Sequence, residues 1–418
     1  MTPASASPIR TRRLAPLLGF LSMFGAFSID TIFPAFPQIS AQFGAGTLAM
    51  QQTISAYLVA YAAMSLWHGA LSDAFGRRRV IMTGIAVFIL ASIGCAMSTS
   101  LPMLVGFRVL QGLSAGVGLI VGRAVIRDVL DGADAQRLMS QVSVIFGIAP
   151  AVAPIIGGWL LGWHRWPAIF WFLALFGLIL LLSVGWWLPE THPRERWQSI
   201  KPRSLWRTYV AILGNAQFRR LSLAAAFNFG ALFLLISSAP ALVLQHFQLG
   251  PQQFGWFFIP MIAGMMSGAL LSGRLAGRMD GRRQVGIGFG LNVGGAALLL
   301  GYAAWAVHLK VPQGMLPVMV MSFGIALVMP IVTLMCLDLF PKQRGAASSV
   351  QAFTSLAMNA IIAGIISPAL SGQDHLLAAG ALVMAMLGWG TWWLAVRQGG
   401  RVPDPPEHGE NYEPLDEL

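Results

Sequence analysis

The chain of 418 residues is 56% hydrophobic and only 10% charged, and it contains 46 glycines and 14 tryptophans. This composition excludes a soluble domain of that length. The formal net charge is +11, but the basic residues lie between apolar runs and not on one soluble face. That distribution excludes nucleic acid as the partner that explains the charge.

Twelve apolar segments follow one another along the chain, and each is close to the ~20 residues that a membrane-spanning helix needs. They lie at residues 14–36, 49–68, 80–97, 102–125, 138–161, 167–188, 219–244, 254–273, 285–306, 313–337, 345–370 and 376–396. We therefore predict an all-α membrane protein with twelve transmembrane helices in two pseudo-symmetric six-helix halves. The first segment is too long for the apolar core of a cleaved signal peptide, so we expect the protein to retain it.

The longest connection between segments predicts how the chain is divided. It covers residues 189–217, and it holds three prolines and five basic residues before Asn215. We expect it to separate the two halves. The predicted parts are a cytoplasmic N-terminal segment 1–13, a six-helix half 14–188, a cytoplasmic linker 189–217, a second six-helix half 218–396 and a disordered cytoplasmic tail 397–418.

Basic residues concentrate in alternate connections, which predicts the orientation. The rich connections hold Arg77–Arg79, Arg127–Arg137, Arg194–Arg220, Arg274–Arg283, and Lys342 with Arg344. The remaining connections hold little more than Arg165 and Lys310. Because cytoplasmic loops are enriched in Lys and Arg, we predict a multi-pass membrane protein with both termini in the cytoplasm.

A polar, basic string from Gly69 to Arg79 lies between the second and third segments. Three adjacent arginines cannot lie in hydrocarbon, so this string must be at a membrane surface; Gly69 and Gly76 can supply tight turns there. An ordinary surface turn is the plainer alternative. A related string at 273–283 keeps four residues at one constant offset close to half the chain, which indicates a duplicated membrane protein. The repeated residues are Gly69, Leu71, Arg78 and Arg79, matched by Gly273, Leu275, Arg282 and Arg283.

Charged residues inside the segments are the sharpest functional signal, because an unpaired charge in a bilayer costs several kcal/mol. Asp30 in the first segment and Arg108 in the fourth each lie roughly 9 Å below the outer surface, at ~1.5 Å per residue. Their matching depth predicts a pair, or alternating partners across a water-filled cavity; a structural salt bridge is the alternative. Burial favours the neutral acid and Arg108 favours the carboxylate, so Asp30 is placed to take up and release a proton.

Further residues predict gating and a cavity. Arg123 and Arg127 approach the inner end of the fourth segment, and Asp128 can clasp one of the arginines at 77–79. In the fifth segment two prolines four residues apart precede paired glycines, which predicts a smooth, bent surface that rocks against a neighbouring helix. These residues are Pro150, Pro154, Gly157 and Gly158. Aromatic side chains that could line an apolar cavity, with ordinary packing as the alternative, are Phe33, Tyr57, Tyr61, Phe146, Phe229 and Phe233.

These motifs resemble those of the major facilitator superfamily. The string from Gly69 to Arg79 resembles its G-x-L-x-D-x-x-G-R-R motif, and Arg108-Val109-Leu110-Gln111-Gly112 resembles its R-x-x-Q-G motif. The stretch from Pro150 to Gly158 resembles its antiporter motif in the fifth span. The sequences around Asp30 and from Arg123 to Asp128 are similar to those of Bcr/CflA-type drug:proton antiporters.

The resemblance implies the bacterial cytoplasmic (inner) membrane as the location, and it implies roles for individual residues. Asp73 would help to hold the cytoplasmic gate against the second half, and Arg77 and Asp128 would form a charge relay. Asp30 with Arg108 would couple proton binding to substrate. We also assign Gly69, Gly76 and Arg78 to the cytoplasmic gate, and Gln111 to the substrate cavity.

Two transport functions stay open: a proton-driven exporter of small, largely apolar or amphipathic compounds, and a proton-linked carrier for one metabolite, such as a nucleoside, purine or amino-acid derivative. A membrane enzyme would need clustered catalytic side chains, and the histidines are scattered near helix ends. In a receptor or scaffold that transports nothing, a buried acid such as Asp30 would serve no purpose. We expect no catalytic residues, metal, cofactor or nucleic acid, buried thiols at Cys95 and Cys336, and a monomer whose partners are substrate, protons and the bilayer.

Overall fold

A computed structural model describes residues 8–129, 132–192, 194–197, 202–275, 278–305, 311, 313–340 and 343–398. The described chain is helical apart from short turns. Its α-helices are α1 (Pro8–Asp30), α2 (Phe36–Phe43), α3 (Thr47–Phe75), α4 (Arg77–Ala96), α5 (Leu101–Ala115), α6 (Val117–Val129), α7 (Gly132–Trp163), α8 (Pro167–Trp187), α9 (Pro202–Gly214), α10 (Ala216–Ser237), α11 (Ala239–Ala241), α12 (Gly255–Leu275), α13 (Gly281–Trp305), α14 (Met315–Asp338), α15 (Arg344–Ile361), α16 (Ser367–Leu370) and α17 (Asp374–Gln398). Short 3₁₀ turns lie at Phe33–Ala35, Arg194–Arg196 and Pro251–Gln253, and π-helical segments at Leu242–His246 and Ile362–Ile366.

Twelve helical stretches of the described chain are long and apolar enough to cross a membrane, which confirms the predicted number. They are Leu14–Phe43, Thr47–Phe75, Arg77–Ala96, Leu101–Ile126, Ile145–Trp163, Pro167–Trp187, Ala216–Ser237, Pro251–Leu275, Gly281–Trp305, Met315–Asp338, Gly345–Leu370 and Asp374–Arg397. We call these the first to twelfth spans. The predicted buried thiols are also found, because Cys95 and Cys336 are both free and buried.

Tryptophan side chains mark the ends of the bundle. Trp163, Trp186 and Trp305 are 80%, 79% and 87% exposed, and they lie at the ends of the fifth, sixth and ninth spans. The amphipathic indole ring favours the boundary between lipid and water. Their placement therefore fits two aromatic belts at the two membrane surfaces.

The string from Gly69 to Arg79 is mostly helix and not the loop that the sequence predicted. Helix α3 continues to Phe75, α4 begins at Arg77, and Gly76 alone separates them, with φ of 90°. A low hydropathy marks where the bilayer ends, but α3 has no helix breaker at that point. Positive φ is open to glycine at little cost, so Gly76 supplies the tight turn, as expected. Gly69 lies within α3 and is not a turn residue.

Several other predicted ends of spans differ from those in the structure. The first span continues past its bend at Phe33–Ala35 to Phe43, and the fourth is interrupted at Gly116. The seventh ends at Ser237, before the predicted limit, and the linker contains α9, which was not predicted. Residues 1–7, the tail from 399, Lys310 and Lys342 lie outside the described residues, as do the expectations for them.

A histidine fastens the chain after the seventh span to the start of the twelfth. Nδ1 of His246 lies 2.7 Å from Oδ1 of Asp374, and Nε2 lies 3.0 Å from the carbonyl oxygen of Ser371. Both ring nitrogens thus face oxygen acceptors, which suits a protonated imidazole. The hydrogen bond to Asp374 raises the pKa of His246 above its usual value; the Ser371 carbonyl adds to this effect, and partial burial opposes it.

We predict that His246→Gln destabilises the protein only at low and neutral pH. A group whose pKa rises on folding contributes stability that is fully present below its unfolded pKa of ~6.5 and is lost as the pH rises through its folded pKa. In detergent, the unfolding midpoint of the variant should be roughly 1–2 °C lower than wild type at about pH 5.5 and equal at about pH 9. An equal difference at both pH values would rule out the protonated ring as the cause.

Candidate functional site

Arg108 lies fully buried at the centre of the first half. Its Nη1 donates to the carbonyl oxygen and Oγ of Ser28, at 3.1 and 3.3 Å, and its Nε donates to the Thr53 carbonyl oxygen at 3.3 Å. The guanidinium carbon lies 4.3 Å from the ring centroid of Tyr57, close enough for a cation–π interaction. The first and second spans thus supply polar partners to an arginine of the fourth.

Gln111 extends this network to the third span. Its Oε1 accepts from Nη1 of Arg108 at 2.9 Å, and its Nε2 donates to Oγ of Ser92 at 2.8 Å. The Cys95 thiol lies 3.7 Å from the same Oε1. Because Gln111 lies one turn after Arg108 on one face of α5, the two side chains can share these partners.

Asp30 is 5% exposed at the end of α1. The carboxyl interacts electrostatically with Arg108, but the two side chains form no ion pair, and Asp30 accepts no side-chain hydrogen bond from the residues that the structure describes. Nη2 of Arg108 also lacks a hydrogen-bond partner within the described chain. The predicted direct pair is therefore absent from this conformation, although the two groups lie in one buried region.

Three predicted cavity residues are fully buried in this conformation, and their assignment to a cavity stays a prediction. Phe33 stacks on Phe258 of the second half, with ring centroids 6.5 Å apart. Tyr57 donates its hydroxyl to the Gly25 carbonyl oxygen at 2.7 Å, and Gln111 is held by the Arg108 network. In this conformation these three side chains pack between helices.

The remaining cavity candidates differ in exposure. Tyr61 and Phe233 are 8% and 5% exposed, whereas Phe146 and Phe229 are partly buried. The rings of Phe229 and Phe233 lie 6.1 Å apart on adjacent turns of the seventh span. The assignment of these four side chains to a cavity stays a prediction.

Arg77 organises the end of the bundle that we call the basic end, where Gly76, Asp128 and Glu190 meet. Its Nη1 bonds Asp73 of α3, and its Nε donates to Oδ2 of Asp128, at the end of the fourth span, at 2.9 Å. Oγ of Thr191 also donates to that Asp128 oxygen, at 3.1 Å. The side chain of Arg77 is 8% exposed, so two carboxylates compensate a largely desolvated cation. Arg77 and Asp128 are therefore in contact, and the charge relay that the family resemblance implied for them stays a prediction.

Glu190 completes the cluster at the basic end, and the sequence analysis did not identify it. Its carboxylate accepts the backbone N–H of Arg77 at 2.9 Å and that of Arg78 at 3.2 Å. These are free donors at the start of α4, where the helix dipole favours a negative charge. A Cβ on Gly76 would lie 2.7 Å from Oε2 of Glu190, so a larger residue would push this carboxylate away from its present position.

The other predicted gate residues do not all contact a partner across the halves. Asp73 bonds Arg77 within its own half, Arg78 donates to the Gly185 carbonyl oxygen at 2.5 Å, and Gly69 borders open space. Arg123 is exposed, and the side chain of Arg127 lies outside the part described. Their roles in gating stay predictions.

The two halves meet at the end opposite the basic end through neutral hydrogen bonds. From the second span, Gln51 donates to the carbonyl oxygen of Ser237 at 2.9 Å. Gln52 and Ser55 donate to the carbonyl oxygens of Gly364 and Ala360 in the eleventh span, at 3.0 and 3.1 Å. Gly364 lies in a π-helical segment, where backbone geometry departs from the regular helix.

The fifth span supplies close packing at the same end. Pro150 and Pro154 lie within α7, as the sequence predicted. A Cβ on Gly157 would clash with the Thr31 carbonyl oxygen of the first span, and one on Gly158 with that of Pro251. The paired glycines therefore let the fifth span approach both its own half and the eighth span of the other half.

The comparisons with known proteins point to one family. The family model of the Major Facilitator Superfamily matches residues 18–368. An uncharacterised MFS-type transporter of Bacillus subtilis, YdgK, is 34% identical over 59% of this chain and 61% of its own length. A bicyclomycin resistance protein homolog of Haemophilus influenzae is 28% identical over 60% and 63%. These two alignments therefore span less than two thirds of the relatives they match.

A longer alignment and two solved structures agree with this result. A chloramphenicol resistance protein of Pseudomonas aeruginosa is 27% identical over 74% of this chain and 73% of its own. The human organic anion transporter MFSD10 superposes with a TM-score of 0.69 at 18% identity, covering 93% of this chain and all of that one. A D-xylose–proton symporter superposes with a TM-score of 0.67 at 14% identity, covering 92% and 98%. These structures establish the shared fold of twelve helices in two halves.

We predict that Glu190→Ala weakens the start of α4. It removes the acceptor of two backbone N–H groups, and loss of a helix cap typically costs about 1 kcal/mol, or roughly 2 °C in the unfolding midpoint. Glu195→Ala, an exposed acid in the same linker, is the control and should leave the midpoint unchanged. Equal midpoints for Glu190→Ala and wild type would show that the cap contributes nothing.

A second prediction concerns the contacts between the halves at the end opposite the basic end. A Cβ on Gly364 would lie 2.9 Å from Cβ of Ser55, so Gly364→Ala should disfavour closure and expose Ser237. A Ser237→Cys reporter should then react with a water-soluble maleimide roughly tenfold faster, the effect of about 1.4 kcal/mol of overpacking. The two native thiols are buried. Gly294→Ala, where an added Cβ meets open space, serves as the control; identical labelling rates in both backgrounds would refute the steric argument.

Proposed function

The chain belongs to the Major Facilitator Superfamily, whose members are carriers, and from this membership we propose that it is a proton-coupled exporter of small, largely apolar or amphipathic molecules. It is a multi-pass membrane protein by its twelve apolar spans. The names of its relatives support export of antimicrobial compounds, since they include bicyclomycin and chloramphenicol resistance proteins.

The observation that carries the proposal is the buried acid beside a buried base. Asp30 lies well inside the first span, whereas Asp73, Asp338 and Asp374 lie within three residues of the ends of theirs. It has no ion-pair partner among the described residues, and Arg108 keeps one nitrogen without an acceptor. A carboxyl in such a site can alternate between the neutral acid and a carboxylate stabilised by Arg108. A proton and a substrate that compete for this site give antiport.

The distribution of charge supports an orientation in the bacterial inner membrane. Arg77, Arg78 and Arg79 lie at the basic end, which we assign to the cytoplasm. Two spans separate Pro8 from the arginines at 77–79, and twelve separate Pro8 from Gln398. Both numbers are even, so Pro8 and Gln398 lie on the same cytoplasmic side as these arginines. The hydrogen bonds of Gln51, Gln52 and Ser55 consequently close the outer side.

Alternating access follows from these two ends. The outer contacts join the two halves, whereas the Arg77 cluster stabilises the cytoplasmic end of the first half alone. We infer that this conformation is closed to the outside. In the alternate state, which is closed to the cytoplasm, we infer that Asp73 contacts the second half. The halves rock about the close-packed fifth and eighth spans.

We predict that Asp30→Asn abolishes proton-driven export, because it fixes the neutral state of the side chain. Cells that lack their major pumps should gain resistance from the wild type on a panel that includes chloramphenicol and bicyclomycin, and lose it with the variant. Asp280 is an exposed acid that directly precedes the ninth span. Asp280→Asn should keep full resistance and thereby control for expression.

Two outcomes would overturn the proposal in different ways. Export against a gradient by Asp30→Asn would remove Asp30 from the coupling step. Wild-type protein that protects from no compound on the panel but empties proteoliposomes of one nucleoside, purine or amino-acid derivative would instead establish the carrier for a single metabolite.

A further inference from the structure

Helix α9 of the linker presents an exposed face that the transport mechanism does not use. Trp206, Val210 and Leu213 are 67%, 50% and 38% exposed, although all three are apolar. Arg203 and Arg207 are exposed beside them. An exposed apolar stripe bordered by arginines is unusual for a helix in water.

The helical rotation of about 100° per residue separates α9 into distinct faces. Trp206, Val210 and Leu213 share one face, and Arg203 and Arg207 lie on the adjoining one. Leu205 and Tyr209 are partly buried and Ile212 is fully buried on a third face, while the exposed Ser204 and Ala211 lie outside the apolar stripe. The stripe therefore has a matched control surface on the same helix.

Contacts with the spans hold α9 in a fixed position. Tyr209 donates its hydroxyl to the Leu66 carbonyl oxygen of the second span at 2.7 Å, and Ile212 is fully buried in a core cluster of the second half. At its C-terminus, Nη1 of Arg219 donates to the carbonyl oxygens of Leu213 and Gly214, at 2.7 and 2.9 Å. The exposed face is thus held, and not a result of a loosely attached helix.

We propose that α9 lies in the membrane–water interface, where its apolar stripe enters the lipid boundary and Arg203 and Arg207 bind the phosphates of anionic phospholipids. Only Asn215 separates the C-terminal end of α9 from the seventh span, so this end of the helix lies at the membrane surface. A helix with a tryptophan-bearing apolar face and arginines beside it has the composition of an interfacial helix.

Charge complementarity favours lipid over a soluble protein as the occupant. The cytoplasmic leaflet carries a negative surface potential, which attracts each basic residue near it by about 1 kcal/mol, or roughly fivefold in binding. Trp206 and the guanidinium groups of Arg203 and Arg207 suit the lipid carbonyl and phosphate layers respectively. The proposal is independent of which substrate the protein carries, and it requires only that α9 meets a leaflet with anionic lipid.

Lipid-quenching fluorescence tests where the stripe lies. Val210→Cys and Ala211→Cys are each labelled with bimane in the full-length protein, whose native thiols are buried, and reconstituted in vesicles of phosphatidylcholine and brominated phosphatidylglycerol. We expect the bromine atoms to quench the label at 210 several-fold more strongly than the label at 211. Equal quenching at both positions, or none at 210, would refute an interfacial helix.

Lipid selectivity tests the arginines separately. The ratio of phosphatidylglycerol to phosphatidylcholine bound to the detergent-purified protein, measured by native mass spectrometry, should fall roughly ten- to thirtyfold in Arg203→Gln/Arg207→Gln. The charge-preserving Arg203→Lys/Arg207→Lys protein should keep most of the preference. A double Gln variant with wild-type selectivity would show that these arginines bind no anionic lipid, whatever the transport assays give.

Discussion

The burial of Arg108 without a countercharge is the constraint on which the first half depends. Moving a guanidinium out of water is costly unless its donors are satisfied. Ser28, Thr53 and Gln111 satisfy three directions, and the Tyr57 ring covers the cationic plane. Four spans must therefore keep a fixed register around one side chain. Asp30 interacts electrostatically with this arginine, so we expect a change in its protonation to act on the network around Arg108.

The two ends of the bundle use different chemistry. The basic end holds Arg77 with two carboxylates of the first half and a helix cap from Glu190 at the start of the linker. At the opposite end, the side chains of Gln51, Gln52 and Ser55 join the halves through neutral hydrogen bonds. Each such bond contributes only about 0.5–1.5 kcal/mol net. A few weak contacts between rigid halves suit an end that must open and close, whereas the charged cluster keeps one half intact during that movement.

The number of spans, the buried acid and the Arg77–Asp128 contact could be read from the sequence, because intramembrane charges and apolar length are strong signals. The helical continuation of α3 to Phe75 could not, since hydropathy reports the bilayer boundary and not the end of a helix. Glu190 was missed because its partners are backbone N–H groups, which leave no trace in a side-chain pattern; an acid that follows a span on the arginine-rich side was the available signal. The packing of Phe33 on Phe258 and of Tyr57 on Arg108 joins residues that are far apart in the chain, and no sequence motif specifies these contacts.

The central claim is that substrate and proton compete for one buried carboxyl. It is tested most directly by adding a transported compound to the purified, lightly buffered protein and recording the pH of the solution. Wild-type protein should release protons in proportion to the compound bound, and Asp30→Asn should bind the compound with no release. Equal proton release by both proteins would contradict the account and would assign coupling to another group.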